Sequence, residues 1–208
     1  MPIEITTTVE GHGHRRRIVR NGETLSRLSV RDCLIWLMGT QVRMGGVGGV
    51  RTEREHRMKG HSRRLLQDTV EYMTGLGQDV SMLFGISDFY NKVGFVPCLP
   101  EHQAHIATRD AERAAEGAGS YSTRPVRPDD HPFIVALYNE DNRHRAAALV
   151  RDEEHFAGFR KGTSYRTRAA AILFEGEAGR RLAYAIYDDS QADVRVVEVN
   201  ATDRAAFW

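Results

Sequence analysis

Between Val50 and Ser62 the chain runs from the end of an apolar, strand-like stretch, through a short charged turn, into the start of an amphipathic helix. Val50-Arg51-Thr52 closes the stretch, and Arg57-Met58-Lys59-Gly60-His61-Ser62 opens the helix. A helix start leaves its first N–H groups without intrahelical acceptors, and the aligned peptide dipoles place partial positive charge there. Arg57, Lys59, Arg63 and Arg64 add full charges beside them. The chemistry on offer is anion binding, with a diphosphate as the natural guest. The preceding Gly45-Gly46-Val47-Gly48-Gly49-Val50 fits neither the dinucleotide fingerprint nor the Walker pattern.

A second group lies downstream. Tyr90, within Ser87-Asp88-Phe89-Tyr90-Asn91-Lys92-Val93-Gly94-Phe95, carries a phenol that can donate a proton to a leaving group. Other reactive types read as structural. His56 and His61 stand five apart across a loop, unlike the spacing of a zinc helix, so no metal is expected. His12 and His14 are expected to be exposed, and Asp129-Asp130-His131 reads as a helix cap. Gln41 to Val50 carries no carboxylate, and Glu53 and Glu55 could equally be solvated loop residues. No general base is assigned.

The elements that must position these residues follow from periodicity. Arg15 to Arg20 predicts a short strand, with Arg15-Arg16-Arg17 a solvated strand end, and Asn21-Gly22 is a two-residue hairpin signal. Thr24 to Val30 predicts a second strand and Cys33 to Leu37 a buried one. Gly39-Thr40 turns the chain into the strand Gln41 to Thr52. Leu65, Leu66, Thr69, Val70, Tyr72, Met73 and Leu76 recur at helical spacing over Gly60 to Leu76, stopped by Gly75 and Gly77. Asp79 to Phe84 reads as a central strand, in parallel with the strand before the helix. Asp88 to Val93 is a short helix ended by Gly94, and Phe95 to Pro97 and His102 to Thr108 read as further strands.

Ala111 to Ser120 has the composition of a linker. Beyond it come a strand and turn over Arg124 to Pro128 and helices over Asp130 to Arg145 and Asp152 to Phe159. Strands are expected at Ala169 to Phe174, Arg181 to Tyr187 and Val194 to Val199. The expected domains are residues 1–111 and 121–208.

The segment Arg57-x-x-Gly60-x-Ser62 resembles the acetyl-CoA-binding signature of the GNAT N-acetyltransferases, with Ser in place of the last Gly or Ala. The segment around Tyr90 resembles the family's Phe-Tyr-x-Lys-x-Gly-Phe helix. The resemblance covers roughly Arg15 to Ala111. It implies an α/β fold with a mixed central sheet and flanking helices, and acetyl-CoA as co-substrate. It also implies transfer to a small-molecule or peptide amine, with Tyr90 near the cofactor sulfur. Backbone N–H groups from Met58 to Ser62 would hold the diphosphate, and the edge of Val50, Arg51 and Thr52 would pair with the pantetheine arm. The arrangement beyond Thr123 is similar to the first half of a second GNAT unit, as in tandem proteins of the enhanced-intracellular-survival type. Against that pattern, the first unit lacks an opening strand and two helices before Arg15, and the second stops at Trp208. A non-catalytic acyl-CoA-binding sensor or interaction module and a purely structural domain are the competing readings.

Composition narrows the partners. Lys plus Arg total 29 against 28 Asp plus Glu, a net +1, so no global field draws nucleic acid or an anionic membrane. Cys33 and Cys98 make neither a metal pair nor a secreted disulfide scaffold. No apolar run approaches the roughly 20 residues of a membrane span, and the N-terminus lacks signal-peptide order, so a cytoplasmic protein is expected. A domain with an exposed strand edge could form a homo-oligomer to cover it.

Overall fold

The computed structural model describes residues 2–86, 88–100, 104–116, 119–154, 156, 170–188 and 194–203. In chain order the first elements are β1 (Glu4–Glu10), β2 (Gly13–Arg20), β3 (Glu23–Leu37), β4 (Thr40–Thr52), α1 (His61–Gly75) and β5 (Val80–Met82). Then follow α2 (Thr108–Ala115), β6 (Ser122–Pro125), α3 (His131–Asn142), β7 (Ala148–Leu149), β8 (Ala170–Glu175), β9 (Arg181–Asp188) and β10 (Arg195–Ala201).

Two compact units result, residues 1–101 with 144–150 and residues 102–143 with 151–208. The first holds a sheet in the order β1-β2-β3-β4-β5, with β7 pairing β3. Strands β1 to β4 are antiparallel hairpins. Asn21 and Gly22 both take positive φ at the β2–β3 turn, as do Met38 and Gly39 at the β3–β4 turn. After α1 the chain returns as β5, parallel to β4. Helix α1 lies on one face of this sheet. Its Leu65, Leu66 and Met73 close a core with Ile18, Leu25, Leu28, Val30 and Val47. In the second unit an antiparallel sheet in the order β10-β9-β8-β6 packs Leu173, Tyr184 and Ile186 against Ile134 of α3.

Several expectations change. The stretch before Arg15 does hold a strand, β1, whose residues pair one for one with β2 from Glu4↔Val19 to Glu10↔Gly13. Its threonines satisfy β-propensity without supplying an apolar stripe, so hydrophobic periodicity does not report it. Thr24 to Val30 and Cys33 to Leu37 are one continuous strand, β3, and Cys33 to Leu37 is not uniformly buried. Ile35 faces inward while Leu34 and Leu37 are each 42% exposed. Asp79 to Phe84 shortens to β5, the last strand in the order rather than a central one. Residues 95–100 and 104–107 form no strand, and Thr108–Ala115 is helical where strand and linker were expected. Of Asp152 to Phe159, residues 155 and 157–159 lie outside the described residues.

Arg16 is not a solvated strand end. It is 5% exposed, with its guanidinium on Asp68, donating to Thr69 Oγ1 at 3.0 Å and lying 4.3 Å from the Tyr72 ring centroid. His14 is likewise buried, bridging the Tyr72 hydroxyl at 2.7 Å and Asp32 at 3.0 Å. Strand alternation turns residues 14, 16 and 18 toward α1 and 15 and 17 away from it.

Candidate active site

Strands β4 and β5 pair over only three residues, from Met44↔Val80 to Gly46↔Met82. Beyond Gly46, β4 continues to Thr52 while residues 83–86 and 88–90, after β5, lie outside the sheet. The divergence opens a groove of about 410 Å³. Val50, Arg51 and Thr52 form one wall, the loop and start of α1 the floor, and Ile86, Phe89 and Tyr90 the other wall.

The floor is an uncapped helix start. Gly60, at φ +77°, precedes α1 with no side-chain cap. The first helical N–H with a backbone acceptor belongs to Arg64, which donates to Gly60 O at 3.0 Å. Among the described residues nothing accepts from the N–H groups of His61, Ser62 and Arg63. These donors and the positive end of the helix dipole face the groove together. A glycine is needed at residue 60 because the left-handed region costs a side chain that glycine lacks.

Charged groups surround that floor. Arg57 donates through Nε to Thr52 O at 3.3 Å, and Lys59 folds back so that Nζ donates to Glu55 O at 2.9 Å. His56 lines the groove, with Nε2 2.9 Å from Glu23. His61 is 7% exposed and its Nε2 is buried without a hydrogen-bond partner. Burial first, then the positive charges of Arg20, His56, Lys59 and Arg64, lower its pKa. His61 therefore stays neutral at pH 7, and an anion beside it would favour its protonation.

Tyr90 begins a 3-10 turn, Tyr90–Val93, that ends at Gly94. Its ring stands edge-on to Phe89 at 4.9 Å and to Phe95 at 6.2 Å. Gly85 permits this placement, since a Cβ there would overlap the Tyr90 ring. Burial raises the phenol pKa, so the hydroxyl keeps its proton and is available as a donor.

Nine of the ten residues singled out in the sequence line one groove: Val50, Arg51, Thr52, Arg57, Met58, Gly60, His61, Ser62 and Tyr90. Lys59 does not, because its side chain is spent on the Glu55 carbonyl. His56, Ile86 and Phe89 join the lining without having been singled out. Phe89 carried a signal, its place in the Tyr90 motif, whereas Ile86 depends on where β5 leaves the sheet. None of the lining residues is a carboxylate. Among the described residues no group of three His, Cys, Asp or Glu side chains is placed to hold a metal ion.

Residues 8–98 match the family described as the acetyltransferase (GNAT) domain. A probable N-acyltransferase of unknown function from Enterococcus faecalis superposes with a TM-score of 0.70 at 15% identity, over 94% of this chain and 50% of that one. A GCN5-related N-acetyltransferase from Kribbella flavida gives 0.67 at 20% identity, over 93% and 48%. Eis1 from Mycobacterium abscessus gives 0.58 at 13% identity, over 93% and 51%. The chain thus spans about half the length of these structures. A comparison with curated proteins gives no match. Residues 8–98 thus match the GNAT acetyltransferase domain, and the architecture is the mixed α/β GNAT fold with a central sheet and flanking helices.

Proposed function

We propose that the protein is an acyl-CoA-dependent N-acetyltransferase, moving an acetyl group from acetyl-CoA to a primary amine. The observation that carries this reading is the groove itself. It sets an uncapped helix start, a strand edge and a protonated phenol around one space. The free amides of His61, Ser62 and Arg63, with the orphan His61 Nε2, suit a diphosphate. The backbone of Val50 to Thr52 suits an extended amide-bearing arm laid along it as an added strand. Acetyl-CoA supplies the activated thioester. Tyr90 donates a proton toward the departing sulfur, which lowers the cost of thiolate release.

The amine is a small-molecule or peptide group, and the second unit serves as a partial GNAT-like module of the tandem arrangement. Among the described residues no helix is long and apolar enough to cross a membrane, and we place the protein in the cytoplasm. The test is thiol release from acetyl-CoA with an amine panel, run beside calorimetry with CoA. Turnover that drops in Tyr90→Phe supports the assignment; absence of CoA binding defeats it. A second reading, a non-catalytic acyl-CoA sensor, is favoured by the lack of any carboxylate in the groove. Binding without turnover for any amine would select it.

A further inference from the structure

The face of the first sheet turned away from α1 carries a line of arginines. Arg17 of β2 pairs directly with Arg27 of β3, and Arg27 pairs directly with Arg51 of β4. Directly paired residues share a face with Cβ atoms about 5 Å apart, and like charges there repel. Little among the described residues relieves this. Glu53 reaches Arg27 at 3.8 Å and Arg51 at 3.7 Å, the long limit of ion pairing. Among the described residues no carboxylate pairs with Arg17. Arg15, one step along β2, meets Glu10 at 3.1 Å with both side chains 60% exposed.

The same face is hollow. Arg15, Arg17, Arg27, Ser29 and Gly49 line a concavity of about 460 Å³. Gly49, at φ +61° where glycine is favoured, lines the concavity, and Gly48 stands directly opposite Ser29. The missing side chains leave room for something else. Arg51, the last member of the arginine line, borders the transfer groove, and Gly49, two residues earlier on β4, lines the concavity.

We propose that this concavity holds the anionic group of the acyl acceptor, so that the substrate is an amine bearing a carboxylate or phosphate rather than a neutral or cationic amine. The proposal rests on the acyl-transfer reading for its word acceptor, and on the arginine line alone for the anion. Guanidinium groups bind carboxylate and phosphate in a bidentate fork, which suits them to this role better than to general solubility. An anion placed there relieves the repulsion between Arg17 and Arg27 and holds the attached amine beside β4.

The experiment uses the full chain with two readouts. The first is steady-state acetyl transfer to matched amines: an amino dicarboxylate, an aminoalkyl phosphate, a neutral alkylamine and a polyamine. The anionic amines should show a KM roughly tenfold or more below the neutral one. The double variant Arg17→Gln/Arg27→Gln should abolish that preference while leaving CoA affinity unchanged. The carboxylate and phosphate arms tell which anion is preferred. The second readout is direct calorimetric binding of the same amines without acetyl-CoA, which survives if acyl transfer itself is absent. Anion binding lost in the double variant, with no turnover for any amine, would keep the anion site and remove only the acceptor reading. Preference for the neutral amine or polyamine, or an unchanged preference in the double variant, overturns the proposal. So does tight, salt-sensitive binding of an RNA oligonucleotide with no binding of the small anions.

Discussion

The two units use a similar three-stranded meander to opposite ends. β2-β3-β4 and β8-β9-β10 are both antiparallel, and each carries an irregularity in its last strand pair, between Arg27 and Ser29 in one and between Val196 and Glu198 in the other. In the first unit the last strand runs past its partner and leaves polar groups unmet. These are the amides at the start of α1, the His61 imidazole and the Arg17 guanidinium, while Arg27 and Arg51 meet Glu53 only at 3.8 and 3.7 Å. In the second unit the charges are closed on one another. Arg151 forks onto Glu198 at 2.8 and 2.6 Å, and the Tyr184 hydroxyl donates to the same carboxylate at 2.7 Å. Arg124 forks onto the buried Asp130 at 2.7 and 2.9 Å, while Arg181 adds a third contact at 2.9 Å. Satisfied charges stabilise a fold; unsatisfied ones mark candidate places for a ligand.

The comparison breaks most readily at Tyr90. Replacing it with Phe removes the donor but keeps the ring packing, and should lower turnover by about 10² to 10⁴-fold with little change in CoA affinity. Equal rates would take Tyr90 out of the chemistry. The closed unit should respond in stability instead. Asp130→Ala removes the partner that Arg124 and Arg181 share, leaving Arg124 only Glu175, and should lower the midpoint of denaturant unfolding.

Asp130 also sets an acid limit. Its carboxyl is held down to about 2, chiefly by the hydrogen bond from Arg124. Because the folded value lies below the unfolded one, the stability it confers is complete above about pH 4 and lost as pH falls toward 2. An acid melt of Asp130→Asn should lack that component.

Gly60→Val tests the open unit's floor, since a β-branched residue at φ +77° is strained by about 1–3 kcal/mol. CoA affinity should fall, and unchanged affinity would show that the helix start is not the seat. His61 gives a subtler, pH-dependent signal. Its folded pKa lies below the unfolded 6.5, so stability is full above pH 6.5 and declines as pH falls through the depressed value. A bound diphosphate reverses the preference, so CoA should bind more tightly as pH falls from 7.5 to 6, and His61→Gln should flatten that slope. The smallest effect belongs to the exposed pair Arg15–Glu10, where Glu10→Gln should change stability by about 0–1 kcal/mol.

Much of the site was legible because its signals are local. Gly60 before a helical period, Thr52 at the end of an apolar run and Tyr90 between Asp88 and Gly94 are all read within a few residues. The misreadings involved distant partners. Nothing near Arg16 announces that Asp68, Thr69 and Tyr72 receive it, and His14 becomes a core residue only because Asp32 and Tyr72 close over it. β1 carries no apolar stripe, because a threonine-rich strand is stabilised by its neighbour's backbone instead.

The order of residues alone thus determined the turns, the long helix and the presence of free amides at its start, since those depend on backbone preferences over one or two turns of chain. Tertiary structure decided which cations are spent and which remain available. Lys59 is consumed by a carbonyl four residues away, Arg16 by a helix fifty residues on, and Arg17 is left facing Arg27 by strand register. Register is a property of paired strands, and a shift of one residue would turn every one of those side chains to the other face.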